Sequence, residues 1–121
     1  MLIGYSRVSS ASQDHASQLD ALEKAGCQKI FVETESGTKA DRTELKTMLE
    51  FAREGDAVVV YRLDRLARSL RNLLQIVDDL TRRGIGLQSL TEAIDTSTPS
   101  GRLAVHVFAS LAQFEAEQVK L

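Results

Sequence analysis

The 121 residues, 43% apolar and with a net charge of −2, suffice for one hydrophobic core and are too few for two, so one globular domain is expected. The near-neutral balance excludes a surface that is basic throughout, as a self-sufficient DNA-binding domain usually has, so charge position matters more than its sum. No apolar run approaches a membrane span, the opening Met-Leu-Ile-Gly-Tyr lacks a secretory start, and a lone Cys27 with distant His15 and His106 offers neither disulfide nor metal cluster. A soluble, cytoplasmic protein without a metal or other cofactor is expected.

Leu2 to Val8 reads as a first strand, and Ser10 with Gln13 resembles a capping box opening a helix. Ala16, Leu19, Leu22 and Ala25 keep helical spacing as far as Gly26, a C-terminal cap. Lys29 to Glu33 is a short second strand, followed by a polar loop, Ser36 to Ala40, expected to be mobile. Asp41 with Glu44 opens a second helix, whose apolar face is Leu45, Met48, Leu49 and Ala52. Ala57 to Tyr61 is an unbroken apolar run, as expected of a central strand covered on both faces.

Arg62, Arg65, Arg68 and Arg71 then crowd into ten residues. Leu66, Leu70, Leu73, Val77 and Leu80 predict one helix ending at Arg82-Arg83-Gly84, with basic residues where the helix dipole favours them. Ile85 to Leu90 is a fourth strand, and Thr98-Pro99 supplies N-cap and first residue of a last helix. Leu103, Val107, Leu111, Phe114 and Leu121 form its apolar seam, still running at the last residue. Such an ending reads as a chain cut from something longer, or as a domain whose tail lies elsewhere.

The alternation of strands and helices predicts an α/β fold with a mostly parallel four- to five-stranded sheet, flanking helices and a long C-terminal helix. In such sheets the functional crevice lies outside the carboxyl ends of the strands, so Ser9, at the end of the first, should meet the Arg62 to Arg68 stretch leaving the third. Arg7 and Ser9 are two residues apart on an extended strand and so share a face, a fixed cation beside a hydroxyl. Guanidinium groups bind phosphate oxygens in a fork and stay charged, which suits attack on a phosphodiester. The plainer reading of Ser9 is a helix cap or loop residue, and of Asp64 with Arg68 a surface ion pair at i, i+4. Cys27 reads as a small core residue, and His106 as a packing or interface residue.

Tyr5-Ser6-Arg7-Val8-Ser9, then Ser36-Gly37-Thr38 with Asp41-Arg42, then Leu63-Asp64-Arg65-Leu66-Ala67-Arg68-Ser69, in this order and spacing, resemble the catalytic domain of the serine recombinases, the resolvase and invertase family. Ala25-Gly26-Cys27 before Ile30-Phe31, and Ser89-Leu90-Thr91 with Ile94 to Ser97 before Pro99 and Gly101-Arg102, look most like the DNA invertases.

The resemblance implies that Ser9 attacks the DNA backbone to leave a 5′-phosphoserine link and a free 3′-hydroxyl, without ATP or metal. Arg7, Arg65 and Arg68 would bind the scissile phosphate, with Arg42 assisting, and Asp64 would orient them or help protonate the leaving oxygen. Gln13, Gln18, Ser36, Glu33 and Glu115 would be supporting positions. Residues 1–99 would form the catalytic α/β domain and 100–121 the start of a dimerisation helix, with Val107, Leu111 and Phe114 at the interface. A downstream helix-turn-helix DNA-binding domain would lie outside this chain.

The implied partners are a double-stranded DNA recombination site and further copies of the chain, a dimer that becomes a tetramer during strand exchange, with accessory DNA-bending or enhancer proteins a further class. A nucleoid-associated protein of bacterial, phage or mobile-element origin is implied. The chain departs from the family where Glu115-Ala116-Glu117 replaces the usual Glu-Arg pair. A reading from another class is a non-catalytic α/β module that binds phosphate or nucleic acid through the arginines, or that only dimerises.

Overall fold

The computed structural model describes residues 1–9, 15–35, 43–67 and 69–119. Five strands, β1 (Leu2–Ser9), β2 (Lys29–Glu35), β3 (Ala57–Val60), β4 (Gly86–Ser89) and β5 (Ile94–Asp95), form one sheet in the order β2-β1-β3-β4-β5. The first four run parallel, and β5 pairs antiparallel with β4. Helices α1 (His15–Lys24), α2 (Thr43–Phe51), α3 (Leu70–Arg82) and α4 (Pro99–Val119) complete the fold. The expected α/β class and mostly parallel sheet are therefore present, with β3 at its centre.

Val58, Val59 and Val60 are all fully buried, as an apolar run covered on both faces requires. Along β1 the two faces differ in chemistry. Ile3 and Tyr5 join the main core, which also holds Met48 of α2, Leu73, Val77 and Leu80 of α3, and Val105 of α4. On the opposite face, buried Ser6 donates from Oγ to Oε1 of buried Gln18 on α1 at 3.1 Å. This polar pair rotates α1 from its expected seating. Gln18 and Leu22 are its buried residues, Leu19 and Ala25 are half-buried, and Ala16 is exposed.

The second difference lies after β3. One helix was expected from Leu66 onward, but the chain instead makes a 3₁₀ turn, Leu63–Arg65, and α3 starts only at Leu70. Ser69 is the reason on the helix side: its backbone is extended and its Oγ accepts from the Asn72 amide at 3.0 Å, an N-cap that ends any continuation backwards. Leu66 is nevertheless fully buried, because the turn tucks it into the core. Its four-residue spacing to Leu70 imitates a helical repeat across a break in the helix. At the other end, Gly84 has φ +74, a left-handed residue that closes α3 before the chain enters β4.

The last helix begins as expected, with Thr98 Oγ1 accepting from the Gly101 amide at 3.0 Å. His106 has a partner that sequence distance concealed: Nε2 lies 3.4 Å from Asp78 of α3, and Nδ1 lies 2.8 Å from the Arg102 carbonyl oxygen. Cys27 is half-buried, and burial pushes its thiol up to about 11, so it is a protonated packing group at neutral pH. No helix among the described residues is long and apolar enough to cross a membrane.

Two outcomes follow from this packing. An ideal Cβ at Gly101 would stand 1.7 Å from the Asp95 carbonyl oxygen, so Gly101→Ala must push α4 off β5 and should cost about 1–3 kcal/mol in denaturant unfolding. Asp56 accepts from the Arg53 amide at 2.9 Å and lies 3.3 Å from the Met1 ammonium, and these contacts, the amide first, hold its carboxyl below the ordinary 3.8. A carboxyl depressed by folding stabilises above its unfolded value and loses that contribution as the pH falls through its folded one. Asp56→Asn should therefore lower the thermal midpoint at neutral pH, and the gap from the unsubstituted chain should close as the pH is taken below 3.8.

Candidate active site

Strand alternation fixes the first part of the site. Arg7 and Ser9 lie two residues apart in β1, on the face that carries Ile3 and Tyr5, and are in register with Glu33 and Glu35 of β2. Ser9 closes the strand and is described by its backbone alone. Arg7 reaches across to the 3₁₀ turn: its Nε donates to the Arg65 carbonyl oxygen at 3.1 Å, and Nη2 donates to the Asp64 carbonyl oxygen. It is thus Arg7 that meets the arginine-rich stretch, through backbone carbonyls 57 and 58 residues away in sequence, while the side chain of Ser9, expected to meet it, lies outside the described side chains.

Within the turn, Arg62 Nε lies 3.3 Å from Asp64 Oδ1, and the Asp64 side chain keeps 66% of its surface exposed. Arg65 is half-buried beside it, while Arg71 is carried away on the exposed face of α3. The run of four arginines is therefore split by the break before α3. Arg68, Arg42, Gln13 and Ser36 lie outside the described residues, and Glu115, in α4, is described by its backbone alone. Of the supporting positions, Gln18 is the partner of Ser6, and its Nε2 is buried.

Glu33 proves to be a hub. Its buried carboxylate accepts from Tyr5 Oη at 3.3 Å, from the Leu45 amide at 3.1 Å and from the Glu44 amide at 3.4 Å. A carboxylate on the first amides of α2 satisfies donors that have no partner within the helix and complements its dipole. Glu33 thereby fixes where α2 starts relative to β1 and β2.

Glu92 is a site residue that the sequence pattern missed. It sits between β4 and β5, and Oε1 and Oε2 accept from the Leu63 amide at 3.3 and 3.4 Å. Oε1 also accepts from Oγ of buried Ser89. The contact spans 29 residues, so no local period announces it. A cavity of about 330 Å³ opens beside the turn, with Asp64, Ser69 and Glu92 in its lining next to Leu63, Leu70 and Leu73. The arrangement brings cationic groups together with the exposed carboxylates of Asp64 and Glu92 where β1 and β3 end, a setting in which the guanidinium groups could receive an anionic diester and stabilise charge developing on it.

The family model described as "Resolvase, N terminal domain" matches residues 2–121. Over 119 residues the chain is 51% identical to the DNA-invertase of Escherichia phage P1, covering 98% of this chain and 64% of that protein. It is 48% identical over 119 residues to the serine recombinase gin of Escherichia phage Mu, covering 98% and 62%. The chain thus spans less than two thirds of the length of these relatives. The crystal structure of the N-terminal catalytic domain of TP901-1 integrase superposes with a TM-score of 0.73 at 32% identity, covering 97% of both chains. With the family model matched along essentially its whole length and phage recombinases near half identity, the chain belongs to the resolvase family of serine recombinases.

Proposed function

We propose that this chain is the catalytic domain of a site-specific DNA recombinase of the invertase type, with Ser9 as nucleophile. The observation that carries the reading is the Arg7 guanidinium bridging the strand that ends in Ser9 to the carbonyls of Asp64 and Arg65. Relatives named DNA-invertase and serine recombinase support the class of reaction.

In this reading the Ser9 hydroxyl attacks a backbone phosphorus. The Oγ–P bond forms as the P–O3′ bond breaks, the serine proton is lost to solvent or a neighbouring base, and the leaving oxygen takes up a proton to become a 3′-hydroxyl. One phosphodiester replaces another, so attack by a new 3′-hydroxyl reseals the strand with no outside energy. Arg7, Arg65 and Arg68 neutralise the phosphoryl oxygens, with Arg42 entering at the start of α2. Asp64, exposed and 3.3 Å from Arg62, either orients these cations or supplies the proton to the leaving oxygen. Gln13, Gln18, Ser36 and Glu115 are supporting positions.

The DNA recombination site is the proposed substrate, and a second copy is the proposed partner of α4. Leu103, Val107, Leu111 and Phe114 recur at three- and four-residue spacing along α4 and are 47% to 64% exposed, an apolar stripe suited to another helix. Pairing of two such dimers would give the tetramer that strand exchange needs, with accessory DNA-bending or enhancer proteins promoting it. Residues 100–121 are on this reading the start of the dimerisation helix.

The test joins the chain to the C-terminal remainder of the phage P1 DNA-invertase and supplies that invertase's recombination site. Denaturation should leave DNA fixed to Ser9, and Ser9→Ala should abolish the adduct. An adduct on another residue, or one that survives Ser9→Ala, would overturn the assignment. Arg7→Ala and Arg65→Ala should each slow adduct formation by about 10²–10³-fold, the usual loss for one aligned charge stabiliser. If Asp64 is the proton donor, a substrate with sulfur in place of the bridging 3′-oxygen, which leaves without a proton, should restore cleavage to Asp64→Asn; an orienting role leaves that variant slow on both substrates.

A further inference from the structure

We propose that Glu92 is a positioning residue for DNA cleavage, acting through the 3₁₀ turn that presents Asp64 and Arg65. The inference rests on the recombinase reading above. The amide of Leu63 is the first N–H of this turn, and it lies outside the turn's own bonds, Arg65 N to Arg62 O and Leu66 N to Leu63 O, both 3.0 Å. Leu63 is 5% exposed, so its amide needs a protein acceptor. The Glu92 carboxylate supplies it with both oxygens, while the Ser89 hydroxyl holds the carboxylate from behind.

The turn is therefore gripped at its two poles by opposite charges. The anion of Glu92 sits on the leading N–H, and the cation of Arg7 sits on the carbonyls of Asp64 and Arg65. Each side chain faces the backbone pole it attracts, and each comes from a different part of the sheet. The Leu90 amide bonds to the Val60 carbonyl and the Thr91 amide to the Tyr61 carbonyl, both at 3.0 Å, so the backbone leading to Glu92 is fixed to the exit of β3. Ala93, the next residue, has φ +55, the one non-glycine with positive φ among the described residues. A side chain in that region costs energy and persists where its surroundings over-determine it. The bend at Ala93 turns the chain back into β5 directly after Glu92.

Glu92 and Asp64 also line the same cavity of about 330 Å³, so the carboxylate stands next to the proposed reaction centre without belonging to the phosphate clamp. Its role is geometric: reacting groups displaced by an ångström lose rate steeply.

The phage P1 chimera described above is compared with its Glu92→Ala and Glu92→Gln forms in single-turnover adduct formation. Glu92→Ala should slow the step by about 10–100-fold at saturating DNA, with the half-saturating DNA concentration little changed and the thermal midpoint lowered by the amide left unpaired, a loss that Glu92→Gln should not show. Glu92→Gln, whose amide oxygen still accepts from Leu63, should recover most of the rate. On an Asp64→Ala background, Glu92→Ala should add little further loss, because the two act at one place. Equal rates with and without Glu92, a loss fully additive with Asp64→Ala, or a defect confined to DNA affinity or stability would each overturn the inference. A second measurement needs no DNA: the Leu63 amide should exchange faster with solvent in Glu92→Ala and stay protected in Glu92→Gln, and unchanged exchange in Glu92→Ala sinks the proposal. A chimera that forms no adduct even unsubstituted overturns the recombinase reading itself, a result distinct from wild-type cleavage that Glu92→Ala leaves intact.

Discussion

The Arg7 guanidinium, seated on the carbonyls of Asp64 and Arg65, is the contact on which the candidate site depends. Hydrogen bonds from a charged donor are each worth roughly 1.5–3 kcal/mol, about twice an ordinary one. Here they join the end of β1 to a segment that neither a strand nor a helix would hold in place. Without them the 3₁₀ turn would be tethered through the buried side chains of Leu63 and Leu66 and through Glu92.

The parallel sheet makes that contact reachable. β1 lies between β2 and β3, so Arg7 stands next to Glu33 on one side and to the exit of β3 on the other. The chain uses each neighbour differently. Glu33 receives the amides that open α2, and the residues after β3 bend into the turn that receives Arg7. Charged side chains, each matched to a backbone dipole, thus hold the start of α2 and the carbonyl end of the turn. The proposed anion site would be a local feature of this placement on a body of net charge −2.

The break between the 3₁₀ turn and α3 shows how far periodicity reaches. Leu66, Leu70, Leu73, Val77 and Leu80 are spaced like one helix, and from Leu70 onward they form one. Leu66 reaches the same core by another route, because burial constrains where an apolar side chain ends and not the backbone path that takes it there. A similar competition decides α1, where a buried Ser6–Gln18 hydrogen bond seats a polar residue at a position that an apolar pattern skips. The first departure lies next to the end of β3, where the function is proposed to reside, and the second on the opposite face of β1.

The sequence by itself determined the order of strands and helices, the buried central strand, the cap at Thr98, and the shared face of Arg7 and Ser9. These are consequences of spacing and of chemistry within a few residues. The three separated motifs also carried the family, which matched along residues 2–121. Tertiary structure alone decided that Arg7 binds backbone carbonyls in the turn, that Glu33 opens α2, that His106 faces Asp78, and that Glu92 holds Leu63. Each of these contacts joins residues 12 to 58 positions apart, and a charge matched to a distant dipole leaves no period in the chain for a reader to find.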